Sequence, residues 1–90
     1  MLRAERAMAE TWKALGVVAE GTPITLAGIN LWSFRWTKLP RPAVDLPHPQ
    51  YQAQRYMVHV FEIRTEAETL QFAAAEVSAG VWAFYRPSVE

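Results

Sequence analysis

Residues 1–16, MLRAERAMAETWKALG, put a helix at the start of this chain. At about 100° per residue, Ala4, Ala7, Met8, Thr11, Trp12, Ala14, Leu15 and Val18 share one broad arc, with Arg3, Arg6, Glu10 and Lys13 opposite. That spacing predicts an amphipathic helix with an apolar side to bury. Gly16 supplies a stop, and Val17 and Val18 lead out toward Gly21 and Pro23. The polar side mixes both signs of charge, which favours lying on a sheet over lying on a membrane surface.

The sheet beneath it is drawn from five stretches. In LWSFRWTK (31–38), Trp32, Phe34 and Trp36 alternate with Ser33, Arg35 and Thr37, so the period of two predicts a strand with its rings to one side. Three such rings in water would be a large apolar patch, and burying each contributes about 2 to 3 kcal/mol. They are therefore expected inward, beneath Met8, Trp12 and Leu15. The short run ITLAG (24–28) predicts a strand that Gly28 ends or bulges.

Farther on, RYMVHVFEIRT (55–65), TLQFAAAEV (69–77) and VWAFYR (81–86) predict a three-strand meander. Pairing Arg64 with Thr69 sets Ile63 against Leu70, Phe61 against Phe72 and His59 against Ala74. A slip of one residue would split the apolar face, so that register is preferred. The turn around Ser78, Ala79 and Gly80 leaves two registers open.

Between the two halves, LPRPAVDLPHPQ (39–50) carries Pro40, Pro42, Pro47 and Pro49, which exclude a helix or a central strand. An extended, polyproline-like crossover is expected. The fold class predicted is α+β: one domain over residues 1–90, with an N-terminal helix packed on a twisted antiparallel sheet of four or five strands.

Composition narrows the function classes. Nine basic residues balance nine acidic ones, so no overall field attracts nucleic acid or anionic lipid. Cysteine is absent, which excludes disulfides, thiolate chemistry and cysteine-based zinc sites. The N-terminal stretch lacks the continuous apolar run of a signal peptide or membrane span, and a cytoplasmic protein is expected.

Chemistry has few places to sit. The preferred register puts His59 diagonally from Glu76 on an apolar face, a candidate acid–base pair. Asp45, His48 and His59 are possible metal ligands in no known spacing, and no metal or cofactor is expected. Trp82, Tyr85, His48 and Tyr51 are the candidate ligand-binding residues, gathered around the proline-rich loop. Arg35 and Lys38 alternate with the rings but point away from them, which argues against a nucleic-acid stacking platform. Residues 30–55 carry Arg35, Lys38, Arg41 and Arg55 against Asp45, whereas 61–76 carry Arg64 against Glu62, Glu66, Glu68 and Glu76. Opposed charge of this kind suits an isologous contact.

LQFAAAEVSAGVWAFYRP (70–87) and VDLPHPQY (44–51) resemble segments of small uncharacterised bacterial proteins, some carried on mobile integron gene cassettes. The resemblance implies a bacterial accessory protein and transfers no functional residue. The expected function is a non-catalytic binding or protein-interaction module, homodimeric, recognising an apolar ligand or a protein partner through aromatic residues. The alternative is a small enzyme using His59 and Glu76 beneath a lid formed by residues 40–50.

Overall fold

The computed structural model describes residues 11–88. Its strands are β1 (Thr11–Ala19), β2 (Thr25–Leu26), β3 (Ile29–Asn30), β4 (Thr37–Lys38), β5 (Val44–Pro47), β6 (Arg55–Arg64), β7 (Thr69–Ser78) and β8 (Val81–Ser88), with a 3-10 turn at Leu31–Ser33. The sheet is six-stranded, ordered β1-β8-β7-β6-β4 with β5 also on β6, and β2 and β3 form a separate hairpin. Every pairing is antiparallel. The described residues are thus all-β, and the predicted α+β class is wrong.

The error lies in TWKALG. These residues belong to β1, which runs along β8 from Thr11↔Ser88 to Ala19↔Val81. A bulge between Ala14 and Gly16 shifts the register, so Trp12 and Val17 pack on one face of the sheet and Leu15 and Val18 on the other. An apolar residue at positions 12, 15 and 18 therefore imitates helical spacing, although the strand is simply apolar on both faces and kinked once. Pairing with β8 and the β preference of Thr11, Val17 and Val18 settle the conformation. The rest of the expected helix, residues 1–10, lies outside the described residues.

The meander matches its expected register, with Ile63↔Leu70, Phe61↔Phe72 and His59↔Ala74. The open question at the second turn is answered by a bulge between Glu76 and Ser78 that sets Ala74 opposite Phe84 and Ala73 opposite Tyr85. One face then carries Ile63, Phe72, Ala74 and Phe84; the other carries Val58, Ala73, Ala83 and Tyr85. Apolar runs such as FAAA and WAFY are continuous because both faces are buried.

Each face has its own cover. Residues 24–36 close the first. Leu26 and Ile29 pair across Ala27 and Gly28, both at positive φ (53° and 79°), as a two-residue hairpin turn requires. The Asn30 side chain then accepts from the N–H groups of Ile24 and Trp32, which winds the chain into the 3-10 turn. Consequently LWSFRWTK is not one strand. Trp32 and Trp36 turn onto the core with ring centroids 5.0 Å apart, while Phe34 stays 39% exposed. Trp12 sits on the opposite face, so the predicted stack of Trp12 above Trp32 and Trp36 does not exist.

Residues 39–54 close the second face. Together with β4 just before them, they run along the outer edge of β6: β4 pairs with Phe61 and Glu62, Leu39 N–H donates to Val60 O, and β5 pairs with residues Arg55 to Val58. Pro40 and Pro42 occupy the interruption between β4 and β5, and Pro47 ends the edge strand, where a missing donor costs no central bond. Leu46 and Tyr56 pack on Val58, Ala73, Ala83 and Tyr85.

Candidate functional site

The most organised polar geometry lies where β5 turns into β6. His48 N–H donates to Gln54 O, and Gln54 N–H donates to Tyr51 O, both at 2.8 Å. The N–H groups of Gln50 and Tyr51 both donate to His48 Nδ1, at 3.0 and 3.1 Å. Pro49 has no N–H to compete, so the imidazole takes the next two donors. With Nδ1 accepting, the ring proton sits on Nε2. His48 is 5% exposed, with ring centroids of Tyr51 and Tyr56 4.9 and 5.9 Å away.

Tyr85 anchors this turn to the sheet. Its hydroxyl donates to Pro47 O at 2.7 Å, joining β8 to the end of β5. Burial pushes the Tyr85 phenol above its ordinary value, and the neighbouring Tyr56 adds to the rise. Arg55 pairs with Asp45 at 3.2 Å on the outside of the same arm. Tyr56 donates to Gln54 Oε1 at 3.0 Å.

Three of the four candidate ligand-binding residues, His48, Tyr51 and Tyr85, therefore meet around Pro47. The fourth does not: Trp82 packs on the Phe72 and Phe84 face, and its Nε1–H donates to Glu20 at 3.2 Å. Tyr56 was missed by the sequence reading, although its period-two relation to Val58 and Val60 places it on the Tyr85 face. The candidate acid–base pair is not assembled. His59 is opposite Ala74 as expected, but the Glu76 carboxylate accepts from Gly80 N–H at 2.8 Å instead of meeting the imidazole. Among the described residues no group of His, Asp and Glu is arranged to hold a metal ion, and no cavity opens. The oppositely charged segments adjoin within one chain, since β4 lies on β6 beside Glu62, and Glu62 itself pairs with Arg64 at 3.0 Å.

Beside the exposed Arg55–Asp45 pair, the arm presents large apolar side chains. Tyr51 is 60% exposed and Met57 59% exposed, the two most exposed large hydrophobic side chains described. Compared with protein-family models, curated proteins and solved structures, the chain matches none. The site thus stands on its own geometry: an aromatic-rich sheet, all-β over the described residues, with a closed turn that holds a tyrosine toward solvent.

Proposed function

We propose that the protein is a non-catalytic protein-interaction module whose contact surface is the β5–β6 arm, with Tyr51 as its anchor. The observation that carries this reading is the cost of holding Tyr51 where it is. Four hydrogen bonds close the turn around His48, yet the ring they position is left largely in water. A tyrosine offers a large rigid contact at low entropic cost, and fixing it before binding removes part of the ordering penalty. A small apolar ligand would need a concave site, and none opens among the described residues, so a protein partner suits the arm better.

In the cell of origin, crosslinking of the wild-type chain is expected to trap complexes that Tyr51→Ala loses. The melting temperature should stay within a degree or so of wild type, because an exposed ring contributes little to folding. Complexes that persist at wild-type level in Tyr51→Ala overturn the reading. Stabilisation of the wild-type chain by apolar compounds in a thermal-shift panel would redirect it to a small molecule.

A further inference from the structure

The two edges of the sheet are built differently. Along β4 and β5 the edge is broken by Pro40 and Pro42, ended by Pro47, and made of short pieces. Such devices keep a sheet from adding further strands. The opposite edge, β1, is nine residues long, has no proline, and carries one charged residue, Lys13. Among the described residues, only the β4–β5 edge carries such devices.

The β1 edge is also self-complementary. Glu20 N–H donates to Gly80 O, so strand alternation turns the amides of Ala19 and Val17 away from β8. Lys13 lies opposite Arg86, two residues beyond the Gly16↔Phe84 pair on β8, and the bulge between Ala14 and Gly16 therefore leaves Ala14 outward as well. Among the described residues, Ala14 and Val17 turn their backbone groups outward without a strand partner. Ala19 turns its N–H outward too, while its carbonyl accepts from Thr22 N–H at 2.9 Å and keeps a second lone pair. All three side chains on this outer ladder are small.

We propose that β1 pairs antiparallel with β1 of a second copy about a two-fold axis at Val17, independently of the β5–β6 arm. Val17 then faces Val17 of the second copy, and Ala14 faces Ala19 at both ends. Each bulge sets Leu15 and Gly16 against the single residue Val18, the two-against-one count that a bulge requires. One step farther out, Lys13 stands opposite Glu20 of the second copy, twice. Both side chains are exposed, and alternation puts both on the Phe84 face. Glu20 gives one carboxylate oxygen to Trp82 and keeps the other for the lysine.

Sedimentation velocity on the full chain tests this. Wild type is expected to sediment as a dimer across the micromolar range. Ala19→Pro removes an outward donor, takes no bond from β8 and suits an edge strand, so it should give a folded monomer. Lys13→Glu should weaken the dimer at least about tenfold, and Lys13→Glu with Glu20→Lys should restore it. Circular dichroism checks that each variant retains the fold. A monomeric wild type, or a dimer indifferent to both Ala19→Pro and Lys13→Glu, overturns the proposal.

Discussion

The covers over the two faces of the sheet solve one problem by different physics. Residues 24–36 hold the first face by burying indoles: the Trp36 ring lies 5.0 to 5.6 Å from the rings of Trp32, Phe61, Phe72, Trp82 and Phe84. Residues 39–54 hold the second face by tethers, namely the β5 ladder, the Tyr85 bond to Pro47 and the turn around His48. A cover made of core side chains cannot be lifted without opening the core. A tethered cover has directional attachments, and its outer surface is free to carry Tyr51. The difference separates the part of the molecule that sustains the fold from the part available for contact.

The strongest way to break this contrast is Trp36→Ala. Removing a ring that touches five others should cost about 3 to 5 kcal/mol in urea unfolding. A loss under about 1 kcal/mol would mean the first cover is not part of the core. On the second cover, His48→Ala frees two backbone donors in a half-exposed turn and should cost about 1 to 2 kcal/mol. His48→Asn places an oxygen near the position of Nδ1 and should recover about half of that loss. Equal costs for the two variants would show that packing on Tyr51 and Tyr56, and not the acceptor, holds the turn.

Tyr85→Phe sharpens the contrast further, because it removes one tether and no ring. The expected cost is about 0.5 to 1.5 kcal/mol. A pH dependence accompanies it. Burial raises the Tyr85 phenol above 10.0, so above that pH the unfolded chain releases its proton more readily than the folded one. The unfolded state then binds fewer protons, and stability falls as pH rises. Below that pH the full contribution is present. In Tyr85→Phe the alkaline decline should be shallower, as measured by thermal melts from neutral pH upward.

The C-terminal half was legible in sequence because its signals are local. The turn at residues 65–68 and the apolar runs on either side admit one good register, which the structure has. The N-terminal half misled for an equally local reason: a bulge at Leu15 and Gly16 turns a two-faced strand into apparent helical spacing. In LWSFRWTK the alternation is real, but the Asn30 side chain competes for the backbone and winds it into a turn. His48, Tyr51 and Tyr85 were named from the proline loop and its aromatics. Their meeting depends on a contact spanning 38 positions, which no local pattern encodes. Glu76 was placed near His59 by register alone, and the bulge at the next turn gave its carboxylate a different donor.

The smallest expected effect belongs to Trp32→Phe, and set beside Trp36→Phe it isolates a single hydrogen bond. Trp32 and Trp36 belong to the same cover and the same ring cluster, but their indole N–H groups differ. Trp36 Nε1–H donates to Leu31 O at 2.7 Å, whereas Trp32 Nε1 is buried without a partner. Replacing either indole by phenyl removes a similar apolar volume. In Trp36→Phe the change also strands the Leu31 carbonyl, adding about 1 to 3 kcal/mol. In Trp32→Phe it relieves an unpaired donor, which offsets the lost packing and should leave stability within about 1 kcal/mol of wild type. Matching urea curves for the two variants would mean that the Trp36 bond contributes nothing net, and the first cover would then rest on ring packing alone.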